Sequence, residues 1–248
     1  CLLAARSATA QITRWNTGQV IPGTVGITPG PGVNLSGWNS DAHNLRYGQL
    51  SYDPAVLDLS GANFSGSWLN NASFGYTALA NANLSGSVIK GANFGATTAL
   101  GFTKDQLYTT ASFLAQDLQG IWLGDNDLSG WDFSGQNLTS AYLGRSTLIN
   151  ADLSGAVVKG AGFGSTTAQG FTADQLYATA SYKTKDLQGI GLGGNDLTGW
   201  DLSGQNLEGT HLEGSTLANT NLSKADLTNS NLSDSKLTNA NLSGALVV

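Results

Sequence analysis

The residue types that most often carry out acid–base catalysis are few in this chain. It has two histidines, His43 and His211, and two glutamates, Glu208 and Glu213, among its 248 residues. The histidines are far apart and the aspartates are scattered, whereas hydrolases and lyases need clustered acids and bases. We therefore predict no catalytic residue, and we interpret both histidines as surface residues of the repeat described below.

Metal and cofactor motifs are equally weak. "DNDLSG" at Asp125–Gly130 imitates the first half of a calcium-binding loop, but its twelfth position is Gln136 instead of glutamate. "GIGLGG" at Gly189–Gly194 resembles a dinucleotide fingerprint, but it lies within the repeat and a related copy reads "GIWLGD". The single cysteine, Cys1, excludes internal disulfides and a cysteine-based zinc site. We predict no metal and no cofactor.

The element that must position any functional residue is a five-residue repeat. Every fifth residue is apolar and is called here the apolar centre of its pentad. From Ser215 onward, the residue two positions before each apolar centre is small. The period of five fits neither an amphipathic helix nor a flat strand, and such self-similarity predicts a solenoid. The apolar centres fall at Leu187, Leu192, Leu197, Leu202, Leu207, Leu212, Leu217, Leu222, Leu227, Leu232, Leu237, Leu242 and Val247.

Each pentad places its apolar centre and its small residue on the same side of the backbone. The other three positions carry Asn, Asp, Ser, Thr, Gly and Lys, and we expect them to face water. Pentads that close into stacked coils would pair their backbone N–H and C=O groups with the coils above and below, about 4.8 Å away.

These residues resemble the pentapeptide-repeat family, whose motif is A(D/N)Lxx. The resemblance implies an all-β solenoid, a right-handed quadrilateral β-helix of pentapeptide repeats in which four pentads make one coil. It covers the chain from about residue 33 to the end. Close matches are "ANLSG" at Ala82–Gly86, "ADLSG" at Ala151–Gly155, "ADLTN" at Ala225–Asn229 and "ANLSG" at Ala240–Gly244.

The predicted organisation has three parts. Residues 1–10 read as a signal-peptide remnant, residues 11–32 as an N-terminal capping segment, and residues 33–248 as the β-helix. The repeat is interrupted twice, by inserts at about 97–116 and 166–185. The sequences around the two inserts superpose at a constant offset, with Phe102 on Phe171 and Trp131 on Trp200, which indicates an internal duplication.

The inserts are predicted to be helical. Thr103 with Gln106, and Thr172 with Gln175, have capping-box spacing, and we expect one short helix over 104–114 and another over 173–183. The coil after each insert has large inner residues, including Trp131 and Trp200. We expect that coil to be locally distorted, with the insert covering the opening.

Composition and the N-terminus bear on location. Charged residues are only 11% of the chain and the net charge is −6, which argues against nucleic-acid binding. No stretch has the roughly 18 apolar residues of a membrane span. Ala8-Thr9-Ala10 matches a signal-peptidase site, so we expect export to the periplasm, the cell surface or the medium. A lipid-anchored Cys1 is the alternative, and without a signal remnant the protein would be cytoplasmic.

Three functions are compatible with the sequence. The first is an exported, non-catalytic structural or binding module that makes protein or glycan contacts along flat faces, or associates with itself side by side or end to end. The second follows from the resemblance, since quinolone-resistance members of the family mimic DNA and bind DNA gyrase. Against it, Asp196, Asp201 and Asp226 would lie on three different sides of the coil. The third is a β-helix carbohydrate-active enzyme.

Overall fold

A computed structural model of the chain describes residues 12–14, 19–21, 24–25, 27–37, 48–49 and 57–248. The predicted signal remnant and His43 lie outside these residues. The two named strands are Thr13–Arg14 (β1) and Gly48–Gln49 (β2), which pair antiparallel. From residue 57 onward the backbone instead repeats a single β-bridge followed by a two-residue turn, once in most pentads.

The bridges show how many pentads complete one coil. They are parallel and join residues four pentads apart: Asp58 pairs with Ala78, Asn63 with Asn83, Trp68 with Val88 and Ser73 with Asn93. Four successive pentads therefore bring the chain back above its own starting point. The solenoid has four walls, and each wall is a ladder of short parallel bridges running along its axis.

The interior is filled by the apolar centres and the small residues. Leu59, Leu197, Leu202 and Leu222 are fully buried, as are small residues such as Ser215. Burial of each leucine contributes roughly 1.5–3 kcal/mol of hydrophobic stabilisation. Aromatic side chains stack within this core, with ring centroids 5.0 Å apart for Phe74 and Phe94 and 4.7 Å apart for Phe94 and the insert residue Phe102.

The pentad Ala82–Gly86 shows why the other positions are polar. The Oδ1 atom of Asn83 accepts hydrogen bonds from the N–H of Ser85 at 3.0 Å and from its hydroxyl at 2.7 Å. This side chain holds the turn that follows Leu84. Gly86 then adopts a φ of 67°, a conformation that glycine reaches without strain. The Asn-x-x-Gly spacing therefore encodes the corner of the coil.

Each insert takes the place of two pentads and supplies two walls of one coil. Asn93 pairs with Trp122, and Gly162 with Gly191, so the coil that contains each insert is longer than the others. The bridges join Asn93 to Trp122, Trp122 to Tyr142 and Tyr142 to Gly162. Gly162 is the counterpart of Asn93 in the second duplicated unit, so the two residues are three coils apart on one ladder. Corresponding residues of the two units consequently lie on the same wall, and both inserts lie on the same side of the solenoid.

Each insert contains a 3-10 helix and two short α-helices, where the sequence predicts one helix. The first insert has a 3-10 helix at Thr98–Leu100, α1 at Lys104–Tyr108 and α2 at Ala111–Leu114. The second has a 3-10 helix at Thr167–Gln169, α3 at Ala173–Ala178 and α4 at Ala180–Lys183.

The predicted single helix is wrong because a second capping residue interrupts it. Thr103 and Gln106 form a capping box at the start of α1, as the spacing predicts. Thr110, however, has an extended backbone, and its side chain accepts a hydrogen bond from the N–H of Phe113 to start α2. Thr179 does the same before α4.

The coil after each insert keeps its β-bridges beside the large inner residue. Asp132 pairs with Asp152, so the ladder continues beside Trp131. The indole is buried against the insert, 5.8 Å from the ring centroid of Phe102 and 6.5 Å from that of Tyr108. In an ordinary coil, the backbone of a further pentad would fill this space. The insert leaves the space free for the tryptophan.

A buried asparagine joins the first insert to this coil. The Oδ1 atom of Asn126 accepts the N–H groups of Thr97 and Thr98 at 2.8 and 2.9 Å. Its Nδ2 atom donates to the carbonyls of Phe94 and Leu123. Asn195 repeats all four bonds in the second unit.

Candidate functional site

Of the histidines and glutamates named from the sequence, the described residues contain one pair, His211 and Glu213. His211 and Glu213 share one wall, where Nδ1 of the histidine is 3.9 Å from Oε2 of the glutamate and both side chains are largely exposed. Glu208 lies on a neighbouring wall, where it accepts a hydrogen bond from Nε2 of Gln188 at 2.9 Å. His211 and Glu213 thus form an exposed surface pair.

The calcium-like motif is used for other contacts. Asp125 receives two parallel hydrogen bonds from Arg145, 2.6 Å from Nε and 2.8 Å from Nη2, and this lowers the pKa of the carboxyl. Asp127 accepts the hydroxyl and N–H of Ser129, which lower its pKa. Among the described residues, no group of three or more His, Cys, Asp or Glu could hold a metal ion. None of the helices in these residues has the length and apolar composition of a membrane span.

One wall differs from the others and is called here the aromatic wall. Its outward-facing ladder positions are Ser73, Asn93, Trp122, Tyr142, Gly162, Gly191, His211 and Asn231. A glycine stands two residues after each of the first six positions. This glycine column consists of Gly75, Gly95, Gly124, Gly144, Gly164 and Gly193.

The glycine column provides space for aromatic rings. None of these glycines has a positive φ, so backbone conformation does not require them. A Cβ atom on Gly124 would lie 2.5 Å from Cε1 of Tyr142, and one on Gly144 would lie 2.5 Å from the Tyr142 hydroxyl. A Cβ atom on Gly95 would lie 3.1 Å from the Trp122 indole. The rings therefore lie close against the glycine backbone.

Trp122 and Tyr142 together form what we call the aromatic platform. Their ring centroids are 4.3 Å apart and their planes are inclined by 40°. Trp122 keeps 45% of its surface exposed. The glycine backbone and the contact between the two rings cover part of each ring, and the exposed part of Trp122 is available to a partner.

A paired charge borders the platform. Arg145 and Asp125 follow Tyr142 and Trp122 by three positions each, at the corner of the coil. The hydrogen bonds to Asp125 raise the pKa of Arg145. The pair is exposed, so it adds little to the stability of the fold. It does present guanidinium donors and carboxylate acceptors beside two aromatic rings.

The second duplicated unit has the same wall without these groups. The superposition of Trp131 on Trp200 places Gly191 at the position of Trp122 and His211 at that of Tyr142. It also puts glycines, Gly194 and Gly214, where the first unit has its ion pair. The bridges of Gly191 and His211 show that the wall forms with those residues. The fold therefore does not require the platform or its ion pair.

Both units also have a cleft beside the insert. The first, of about 540 Å³, is lined by Phe102 and Trp131, and the second, of about 650 Å³, by Phe171 and Trp200. Since the aromatic lining is shared, the clefts do not distinguish the units. Asp125 lines the first cleft and also pairs with Arg145, so it lies between this cleft and the platform.

Sequence reasoning missed the platform, although a signal is present. "GIWLG" at Gly120–Gly124 and "AYLG" at Ala141–Gly144 both place an aromatic residue two positions before a glycine. The two segments are four pentads apart, one full coil. A search for aromatic residues and glycines at that spacing would have found Trp122 and Tyr142.

The fold and site define a solenoid of five-residue repeats with one specialised wall. The pentapeptide-repeat family model, described as pentapeptide repeats in eight copies, matches residues 58–95, 125–161, 196–234 and 225–246. These segments cover half of the chain. The chain belongs to the pentapeptide-repeat family, which confirms the resemblance seen in the sequence. None of the curated proteins matches it significantly.

Several solved pentapeptide-repeat structures are similar. HetL from the cyanobacterium Nostoc sp. strain PCC 7120, involved in heterocyst differentiation regulation, is 22% identical over 87% of each chain, with a TM-score of 0.24. Rfr23 from the cyanobacterium Cyanothece 51142 is 24% identical over 48% of this chain and 60% of its own, with a TM-score of 0.24. Full-length QnrB1, a plasmid-mediated fluoroquinolone resistance protein, is 17% identical over 79% of each chain, with a TM-score of 0.21. Similarities this weak do not assign a function to this chain.

Proposed function

We propose that this chain is a non-catalytic binding module that contacts a partner, a protein or a glycan, with its aromatic platform. The duplication carries this proposal. One unit has Trp122 and Tyr142 where the other has Gly191 and His211, and the same wall forms in both. Two adjacent aromatic rings that the fold does not need, one of them 45% exposed, are typical of a recognition surface.

The distribution of charge supports binding without DNA mimicry. Asp196, Asp201 and Asp226 belong to three different ladders, so these three carboxylates do not form a single acidic column, and the bridge between Asp132 and Asp152 stacks only two aspartates. A DNA mimic needs rows of negative charge that match the phosphate spacing of a duplex. Asp125, which lies nearest the platform, is neutralised by Arg145.

We also propose that the protein is exported. The Ala8-Thr9-Ala10 motif supports this as a signal-peptidase site. Protein recovered from the cell envelope or medium should begin at Gln11 on N-terminal sequencing. Recovery of the protein from the cytoplasm with residues 1–10 still attached would contradict export.

Partner capture tests the binding proposal. The platform variant carries Trp122→Gly and Tyr142→His, the residues that the second unit uses at these positions. The control Trp68→Val removes a tryptophan that is 40% exposed on another wall and introduces the residue found one coil away, at Val88. Each protein is immobilised and exposed to an envelope extract of the source cells, and retained carbohydrate and protein are quantified. Wild type and control should retain the same material, and the platform variant should lose it. Equal retention by all three proteins would contradict the proposal.

A further inference from the structure

We infer that the ligand of the aromatic platform is a neutral saccharide, stacked on Trp122 and Tyr142 and hydrogen-bonded at its edge to Asp125 and Arg145. This inference rests on the proposed function and specifies the class of the partner. It concerns binding alone and involves no covalent step.

The orientation of the rings matches the shape of a sugar. Tyr142 lies over Gly124 and Gly144, and Trp122 lies against Gly95, so both rings are held from beneath by backbone. A saccharide ring has a face of C–H groups and a rim of hydroxyl groups. Its C–H face can gain dispersion contacts over an exposed aromatic face while its hydroxyls stay at the edge.

The edge of the platform supplies the hydrogen bonds that such hydroxyls need. The Tyr142 hydroxyl lies over Gly144, the residue next to Arg145. Arg145 has five N–H donors, of which two are directed at Asp125, so further donors are available. The Asp125 carboxylate also keeps free lone pairs, since each oxygen has two. Few polar groups beside an apolar surface are the usual composition of a small-ligand site.

The charge of the site indicates a neutral ligand. Asp125 and Arg145 form a closed pair with no net charge. The chain as a whole carries −6, which repels acidic polysaccharides and nucleic acids. Single-stranded nucleic acid would require a positively charged groove along its backbone in addition to stacking rings.

The surroundings of the platform favour a saccharide over a protein. A stable protein interface buries about 800 Å² on each partner around an apolar centre. On the aromatic wall, the outward positions on one side of the two rings are Ser73 and Asn93, and those on the other side are Gly162 and Gly191. The outward ladder positions on both sides of the rings are therefore small or polar, and the two rings form a small apolar patch between them. Such a patch is large enough for a sugar ring.

Glycan binding by purified protein tests this inference. Wild type is applied to an array of neutral and acidic glycans, and the neutral glycan with the strongest signal is titrated by calorimetry at low and high salt. We expect binding that changes little with salt, because the ligand is uncharged. Trp122→Gly and Tyr142→His should each weaken affinity about tenfold or more, and Trp68→Val by less than about twofold.

A glycine pair provides a second, independent control. Gly124→Ala places a Cβ atom 2.5 Å from the Tyr142 ring and 3.1 Å from the Gly144 carbonyl, so the ring must move and binding should weaken about fivefold or more. Gly164→Ala, in the same column, meets only the carbonyl of Gly193 at 3.4 Å and should bind as wild type does. Circular dichroism and melting curves establish that every variant is folded.

Three results would overturn the saccharide assignment. They are no binding to any neutral glycan, tighter binding to acidic glycans, and neutral-glycan binding that survives the platform and Gly124 substitutions. If the envelope-capture experiment shows platform-dependent retention of protein alone, the binding function stands and the saccharide is wrong. If capture is independent of the platform, the binding function itself fails.

Discussion

At the scale of single residues, inside and outside positions follow from the place of a residue within its pentad. Leu222 is fully buried, and its N–H donates to the carbonyl of Asn241 in the next coil at 2.8 Å. Asn231, at an outward position, is exposed and accepts the N–H of Ser233. The same change of residue type should therefore have very different effects at the two positions.

Leu222→Asp should destabilise the fold by about 4 kcal/mol or more, because it buries a carboxylate in an apolar column. Asn231→Asp preserves the acceptor for Ser233 at an exposed position and should change stability by less than about 0.5 kcal/mol. Urea denaturation followed by circular dichroism measures both. Equal losses would show that inside and outside positions have been assigned wrongly.

A set of outward aspartates makes stability depend on pH. Each accepts hydrogen bonds from a serine or threonine two residues later, and these bonds lower the pKa of its carboxyl. The set is Asp58, Asp127, Asp152, Asp196 and Asp226. A folded-state pKa below the unfolded value of about 4 means that the charged forms stabilise the fold at neutral pH. That stabilisation is lost as the pH falls through the lowered pKa values.

Replacement of all five aspartates by asparagine should reduce the acid sensitivity of the fold. Asparagine keeps the oxygen acceptor but has no carboxyl to protonate. The melting temperature of wild type should fall more than that of the variant when the pH is lowered from neutral to about 3. If the melting temperatures of the two proteins fell equally, these carboxyls would not be the cause of the loss of stability in acid.

At the scale of elements, the inserts are held by buried polar side chains as well as by aromatic packing. Asn126 and Asn195 each make four hydrogen bonds that join a 3-10 helix to the following coil. Gln106 and Gln175 connect α1 and α3 to two carbonyls each of the preceding coil. The inserts are consequently integral parts of the solenoid wall.

Asn126→Ala should cost about 2–4 kcal/mol, since it leaves buried N–H and C=O groups without partners. Asn195→Ala should cost a similar amount, because the duplicated unit repeats the four bonds. The double variant should show nearly additive losses, since the two positions are three coils apart. Chemical denaturation of the two single variants and the double variant measures this. A cost near zero at either site would mean that water replaces the side chain.

At the scale of the whole molecule, the internal duplication determines which surfaces recur. Because the offset between the two units equals three complete coils, the duplicated inserts, clefts and asparagines lie above one another on the same walls. The aromatic platform, in contrast to these repeated features, is present in the first unit and replaced by Gly191 and His211 in the second. Negative charge is distributed over several walls.

Because that charge is not gathered into one column, the protein should not affect DNA gyrase. Purified protein from Gln11 onward should leave supercoiling unchanged with and without a quinolone. The measurement is a gel assay of plasmid supercoiling at micromolar protein and two salt concentrations. Salt-sensitive inhibition or protection would instead favour the DNA-mimic hypothesis and make the outward aspartates the site.

The sequence alone determined which residues of a pentad face inward. The apolar centre and the small residue two positions before it recur every five residues, and only an arrangement with both of them inside is consistent with that pattern. The start of α1 at Thr103 was also predictable, since a capping box depends on residues three apart. The end of that helix was not predicted, because the competing cap at Thr110 depends on how the chain returns to the wall.

Only the tertiary structure decided which distant residues share a wall. Each insert supplies two walls of a lengthened coil, a count that the spacing of leucines does not contain. That count places Trp122 above Asn93 and sets Trp122 and Tyr142 against the glycine column. A local sequence pattern specifies each turn, but which turns lie above one another depends on the length and path of the insert between them. The platform therefore depends on the register of the coils.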